Sequence, residues 1–427
     1  MKIAFHTLGC KVNQYESEAM KEQFANLGHI VVGEKDFADV YIINTCTVTG
    51  LADRKSRQYI RKMKKKNPNS IIAVTGCYVQ TNPDQVEKIG EVDIIAGTNE
   101  KHKLAEYIFE HKKDSKDRYV KDYEDLIEYE EMGIITGMES RTRAYIKIEE
   151  GCDRFCSYCV IPYARGPVRS RNKQEILKEA KQLVESGFKE LILTGINTAL
   201  YDDLEGLLED LDNMKGDFRV RLSSLEPTVI NALYVKKLFK YKRLCHHLHL
   251  SLQSGSDNIL KAMKRRYDRF EYLEIVKTLR EFDPFYGITT DIIVGFPGEL
   301  KEDFKDSVEM IEKVEYGRVH VFKYSKRPKT LAEKMKDQIE PHIKKDRSEK
   351  LILAGYEGSK KFFEKNCGRI EKVLFEEATL DKKYITGYTN NYIKAWTEFD
   401  ENILNEFADV KIVKPFNDGV YVTIVNG

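Results

Sequence analysis

Three cysteines crowd one short loop, Cys152-Asp153-Arg154-Phe155-Cys156-Ser157-Tyr158-Cys159, just past an apolar run from Ala144 to Ile148. This C-x3-C-x2-C spacing constrains the chain more than any other stretch. Three thiolates from one loop converge on one place, and the strand before them must deliver them to an open edge of the fold. A fully ligated iron–sulfur cube takes four thiolates. The run supplies three and stops, which leaves one iron open to a small ligand. A structural zinc ion would want a fourth Cys or His nearby, and none follows in the loop. Cys152, Cys156 and Cys159 are therefore read as ligands of an open 4Fe–4S cluster.

The flanking sequence supplies a scaffold that can present such a loop. Over residues 1–112, strand-like runs at Ile3 to Thr7, Val40 to Asn44, Ile71 to Thr75 and Val92 to Ala96 alternate with helical patterns such as Tyr15 to Leu27 and Leu51 to Lys66. That rhythm predicts a parallel α/β domain. Residues 113–138 are charged and weakly periodic, and read as a linker with some strand character. Over residues 139–365 the alternation returns, with strand candidates at Ala144 to Ile148, Glu190 to Leu193, Arg219 to Ser223, His247 to Leu252, Thr289 to Val294 and Arg318 to Phe322. Six such units predict a complete or partial β/α barrel, whose chemistry sits at the C-terminal strand ends. Residues 366–427 carry five short strand patterns, which predict a small β-barrel or sandwich. The fold class is thus α/β multidomain.

The 427 residues are 41% hydrophobic and 33% charged, with a net charge of +1. No global basic field marks a nucleic-acid partner, so such binding must come from local patches. No apolar run is long enough to cross a bilayer. The first residues read straight into a strand without a signal-peptide pattern, so a cytoplasmic, membrane-free protein is expected. Eight cysteines are too sparse for a disulfide scaffold, and in a reducing compartment clustered cysteines point to metal or catalysis.

Cys10, Cys46 and Cys77 look scattered, yet each follows a predicted strand and precedes a helical stretch. In doubly wound sheets the ligand crevice lies at those strand ends. The pattern alone balances a second three-thiolate site against three small buried hydrophobes. Cys245 and Cys367 fit no such pattern and read as structural.

Polar groups end several barrel strands: Thr194-Gly195-Ile196-Asn197, Ser224-Leu225-Glu226, Gln253-Ser254 and Gly295. Glycines there let backbone approach a ligand closely, and Glu226 and Gln253 could bond ribose or amino-acid groups. The alternative is turn and capping roles. His247 and His249 share one strand face and read as satisfied core histidines rather than metal ligands. Basic patches occur at Arg61 to Lys66, at Arg165, Arg169 and Arg171, at Lys264 to Arg266, and across Arg318, Lys323, Lys326, Arg327 and Lys329. Such patches can neutralise phosphates. Tyr388, Tyr392, Lys394 and Trp396 interleave aromatics with a base, which suits stacking on RNA or a local core.

The cysteine loop resembles the radical S-adenosylmethionine (SAM) superfamily. Together with Val160-Ile161-Pro162-Tyr163-Ala164-Arg165-Gly166, it resembles the methylthiotransferase branch, over nearly the whole chain. The resemblance implies that the open iron chelates SAM and that one electron cleaves it to a 5′-deoxyadenosyl radical. It implies an auxiliary 4Fe–4S cluster on Cys10, Cys46 and Cys77 that carries the sulfur, hence two 4Fe–4S clusters, with one SAM methylating sulfur and another making the radical. It implies SAM contacts at the strand-end residues, an RNA-binding TRAM barrel at the C-terminus, and an external reductant and sulfur donor. The sequence marks no side chain as a general base, and no pattern specifies an oligomeric state.

Three branches of the family compete: two acting on tRNA, at N6-isopentenyladenosine or N6-threonylcarbamoyladenosine, and one acting on ribosomal protein S12. The stretches His6-Thr7-Leu8-Gly9-Cys10-Lys11-Val12-Asn13-Gln14-Tyr15-Glu16 and Gly387-Tyr388-Thr389-Asn390-Asn391-Tyr392-Ile393-Lys394 are similar to the threonylcarbamoyladenosine group. The expected substrate is therefore A37 in a tRNA anticodon stem-loop. A non-catalytic iron–sulfur RNA-binding protein is the alternative from another class. Ala199-Leu200 departs from the family pattern, where smaller or glycine residues are expected after Asn197.

Overall fold

A computed structural model describes residues 1–113, 115–135 and 142–425. The first sheet holds β1 (Lys2–Thr7), β2 (Ile30–Val32), β3 (Val40–Thr45), β4 (Ile71–Gly76), β5 (Ile94–Ala96) and β6 (Asp117–Tyr119). All pairings are parallel, in the order β2-β1-β3-β4-β5-β6. Two apolar clusters cover its two faces, one around Phe5, Phe24 and Ile42, the other around Tyr41, Ile60 and Val74. The chain reverses its direction of travel across the sheet between β1 and β3, and that switch point opens a crevice at the C-terminal strand ends. The sheet also extends past the expected boundary at residue 112, because β6 pairs with β5. Residues 114 and 136–138 of the expected linker lie outside the described residues.

The central unit begins with β7 (Arg143–Lys147), followed by a short antiparallel pair, β8 (Glu149–Glu150) and β9 (Arg169–Ser170). Then come β10 (Glu190–Thr194), β11 (Arg219–Leu222), β12 (Ser224–Leu225), β13 (His247–Leu250), β14 (Gly287–Val294) and β15 (Arg318–Lys323). Three strands run in the order β7-β10-β11 and four in the order β12-β13-β14-β15, all parallel, with a parallel bridge from Val220 to Leu244 joining the halves. This is the open, partial form of the expected barrel. Its core unites strand residues such as Ile146, Leu193 and Ile292 with helix residues such as Leu183, Leu211 and Leu279. The 26-residue helix Pro341–Asn366 closes the outer flank by pressing Gly355 onto Val319 and Gly358 onto Ile311.

The last unit is a closed barrel of β16 (Ile370–Ala378), β17 (Tyr384–Thr389), β18 (Lys394–Glu398), β19 (Phe407–Phe416) and β20 (Gly419–Ile424), ordered β16-β17-β18-β20-β19. The sequence pattern starts the third of these at Tyr392, whereas β18 starts at Lys394. Tyr392 stands at φ 68°, a left-handed turn conformation that no strand residue holds. This barrel is fastened to the central unit by buried ions. Glu190 on β10 accepts from Arg219 (2.6 Å) and Arg221 (3.0 Å) on β11, and these arginines donate onward to the Tyr388, Thr389 and Asn390 carbonyls. Among the described residues, no helix is long and apolar enough to cross a membrane.

Candidate active site

Cys152, Cys156 and Cys159 open on a cavity of about 310 Å³ at the C-terminal ends of the central strands. Gly151 aims the loop. It stands at φ +85°, and a Cβ there would lie 1.8 Å from the Pro167 carbonyl oxygen. Only glycine tolerates both the conformation and the contact. The wall continues through Arg154, Tyr158, Asn197, Ser224, Glu226, Ser251, Gln253 and Asp291, and is completed by Val48, Thr49 and Phe322 to Ser325. Val48 and Thr49 come from the first unit, directly after Cys46, so both cysteine-bearing units border this space.

The second trio occupies the crevice of the first sheet. Cys10 follows β1 and caps the helix Lys11–Asn26, Cys46 follows β3, and Cys77 opens the helix Cys77–Thr81 after β4. These three strands are neighbours, so register alone gathers the cysteines. Gly9 approaches so closely that its Cβ would lie 2.8 Å from Cys46 Cβ. Cys46 and Cys77 are buried, and Cys10 is exposed. Among the described residues, no three His, Cys, Asp or Glu converge tightly enough for a single metal ion. Cysteines 245 and 367 stand apart from both trios. Cys245 is buried, and Cys367 donates to the Phe363 carbonyl.

Both sites suit a cluster by the chemistry of their donors. Burial, then the nearby Cys77, pushes the Cys46 thiol up to about 12. Burial likewise holds Cys152 and Cys159 at about 12. Buried thiols packed together stay protonated, and iron held on them would supply the positive charge that ionises them. In each trio one sulfur also accepts from a buried arginine: Arg165 Nε reaches Cys77 Sγ at 3.2 Å, and Arg265 Nη1 reaches Cys156 Sγ at 3.3 Å. Hydrogen bonds to cluster sulfurs set reduction potential. For SAM, the cavity wall offers the buried Asn197 Oδ1, which has no hydrogen-bond partner among the described residues. An unsatisfied acceptor of this kind fits an ammonium donor.

Of the strand-end residues marked in the sequence, Asn197, Ser224, Glu226 and Gln253 reach the wall. Thr194, Gly195, Ser254 and Gly295 do not. Thr194 is buried within β10, and Gly195 packs on Glu149. The Ser254 hydroxyl accepts from its own turn at Ser256, and Gly295 faces Lys344 while its N–H donates to Glu299. Ala199 sits in the short helix Thr198–Leu200 and packs into the core, which accounts for its apolar character.

The phosphate reading of several basic residues needs correction. Arg165, Arg169, Arg171 and Arg327 are buried. Arg165 bridges Glu16 and Glu150, Arg171 pairs with Glu179 and Glu131, and Arg327 meets Asp53 at 2.6 Å. Arg169 donates to the Leu126 and Arg165 carbonyls and to Asn99, and guanidiniums buried and committed in this way are not available to phosphate. Tyr388 and Tyr392 are also taken. They stack on each other at 4.8 Å, and against Arg143 and Arg221 respectively. Trp396 remains partly exposed, edge-on to Tyr384 and Phe416, with its indole N–H donating to Asp418. His247 and His249 both engage the Thr289 hydroxyl, but the buried His247 Nδ1 has no hydrogen-bond partner among the described residues and His249 Nε2 lies 3.2 Å from Asp291 of the cavity wall, so the reading as satisfied core histidines holds only in part.

Residues 2–97 match the family model described as Uncharacterized protein family UPF0004, and residues 146–311 match the Radical SAM superfamily. The chain is 39% identical to the threonylcarbamoyladenosine tRNA methylthiotransferase of Bacillus subtilis, over 99% of this chain and 97% of that protein. It is 38% identical to the Thermotoga maritima enzyme of the same name, over 98% and 96%. It is 37% identical to the tRNA-2-methylthio-N(6)-dimethylallyladenosine synthase of Clostridium tetani, over 96% and 93%. Among solved structures, it shares its fold with the radical SAM methyltransferase TsrM of Kitasatospora setae, at TM-score 0.59, 15% identity and coverage of 78% and 76%.

Proposed function

The chain belongs to the radical SAM tRNA methylthiotransferase family, and from that premise we propose that it converts N6-threonylcarbamoyladenosine at tRNA position 37 to its 2-methylthio derivative. The observation that carries this reading is the shared cavity: one cysteine trio lines it, and the loop that follows the other trio's Cys46 forms part of its wall. The nucleoside follows the relatives of 38–39% identity and the sequence around Cys10.

When bound, a cluster on Cys152, Cys156 and Cys159 supplies the electron that cleaves SAM, and a cluster on Cys10, Cys46 and Cys77 supplies the sulfur. The chain's own residues position the reactants. Asn197 and Gln253 offer hydrogen bonds to the polar ends of SAM. Glu226 is fixed by Arg154 at 2.8 Å and by Asn197 at 3.1 Å, so it presents an oriented acceptor. Apolar wall residues Val160, Ile196, Leu225 and Ile293 limit water around a reactive species. The closed C-terminal barrel acts as a TRAM module and offers the Trp396 face to the anticodon stem-loop. An external reductant and sulfur donor complete the cycle, in the cytoplasm where tRNA resides.

Nucleoside mass spectrometry of tRNA from a deletion strain tests this. 2-Methylthio-N6-threonylcarbamoyladenosine should vanish, its unthiolated parent should accumulate, and the wild-type gene but not Cys152→Ala should restore it. Persistence of the modified nucleoside, or loss of 2-methylthio-N6-dimethylallyladenosine instead, overturns the assignment.

A further inference from the structure

The substituent that distinguishes the proposed nucleoside carries a free carboxylate, because it is a threonine joined through its nitrogen. On adenine, C2 and C6 flank the same ring nitrogen. A C2 atom placed in the cavity therefore brings the N6 substituent to its rim. Three cationic side chains line that space: Arg154, Arg265 and Lys323. Arg154 and Arg265 are committed to Glu226, at 2.8 and 3.6 Å. Asp291, the other acidic residue of the wall, lies 3.2 Å from His249. Lys323 ends β15, is exposed, and has no carboxylate partner among the described residues. Lys326 follows three residues later, beyond Tyr324 and Ser325 of the wall, and is also exposed and unpaired among the described residues.

This edge lies at the seam of the two cysteine-bearing units. The Gly50 N–H donates to Ser325 at 3.2 Å, and Arg327 donates to Thr47 and Asp53. A base lying between a radical source on one side and a sulfur source on the other reaches this seam. Phe322, 44% exposed on the same wall, offers a face for the ring. An apolar dimethylallyl group gains nothing from two ammonium groups here, whereas a carboxylate does.

Resting on the function proposed above, we infer that Lys323 and Lys326 form the edge that recognises the N6-threonylcarbamoyl carboxylate and so selects the nucleoside. Binding of fluorescent 17-nucleotide anticodon stem-loops to the reconstituted protein tests this, with A37 either unmodified, threonylcarbamoylated or dimethylallylated. The wild type should favour the threonylcarbamoyl form over unmodified A37 by about fivefold, as expected for a partly exposed ion pair. The preference should disappear in Lys323→Ala/Lys326→Ala and reverse in Lys323→Glu/Lys326→Glu, while affinities for the unmodified and dimethylallylated loops change together by one common factor. Equal weakening of all three loops with the preference intact would make these lysines phosphate contacts and overturn the inference. So would no change at all. Absence of any preference in the wild type strikes instead at the substrate assignment.

Discussion

Gly151 shows how much of this active site rests on single backbone positions. Its φ of +85° and the Pro167 oxygen 1.8 Å from where a Cβ would sit leave no room for a side chain. The clash is with backbone, so no rotamer change relieves it. Gly151→Ala must displace either the Cys152 end of the loop or the chain around Pro167, and both border the first trio. Anaerobically reconstituted Gly151→Ala should hold about half the wild-type iron, since the second trio lies on another unit, and should form little 5′-deoxyadenosine with SAM and dithionite. Full iron content with normal SAM cleavage would show that the loop absorbs the methyl group.

At the scale of elements, the pairing of β10 with β11 has a second task. Glu190 lies wholly buried between Arg219 and Arg221, which also hold the Tyr388–Asn390 turn of the C-terminal barrel through its carbonyls. Burial alone would raise the Glu190 carboxyl, but Arg221 and Arg219 outweigh it and hold the group far below the usual carboxylate range. A group depressed on folding stabilises above its unfolded value, about 4.3, and loses that contribution as pH falls below it. The stability advantage of wild type over Glu190→Gln should therefore be constant near neutrality and shrink below about pH 4.3, by up to about 1.4 kcal/mol per pH unit. Urea unfolding between pH 6 and 3 measures it, and a pH-independent difference would refute the ionised triad. This fastening was not legible in the sequence. Glu190, Arg219 and Arg221 read as parts of strands, and Tyr388 and Tyr392 read as suited equally to RNA or to a local core, because only the docking of two distant segments brings them together. The placement of the cysteines was legible for the opposite reason: a residue at a strand end is a local pattern. The strand-end glycines were legible as special positions but not as to what they approach, which for Gly295 is Lys344 on a separate helix.

For the whole molecule, the question is what holds the first sheet against the central barrel so that both cysteine-bearing units border one cavity. Several contacts span the seam, among them Lys147 with Glu16, Arg169 with Asn99 and Tyr15 with Glu179, and two more lie nearest the cysteines and the cavity. One is the buried bundle in which Arg165, just beyond the cysteine loop, reaches Cys77 and Glu16 of the first unit. The other is a clasp in which Arg327 donates to Asp53 at 2.6 Å and to Thr47 at 2.7 Å, beside the Gly50–Ser325 hydrogen bond. The clasp lies next to Val48 and Thr49 of the cavity wall and touches neither trio directly. Arg327→Met keeps the unbranched stem of the side chain but removes the guanidinium, breaks the ion pair and leaves Asp53 beside Thr47 without its cation. Hydrogen exchange should quicken in segments 47–53 and 324–330 and stay unchanged at Cys152 to Cys159. Chemistry that needs only the barrel, SAM cleavage to 5′-deoxyadenosine, should persist near the wild-type rate. Formation of the methylthiolated nucleoside, which needs both units in register, should fall by about tenfold or more, because small displacements of aligned reactants are costly. Equal losses of both products would place Arg327 in general stability rather than in alignment, and unchanged coupling would mean that the remaining contacts of the seam keep the two units in register without the clasp.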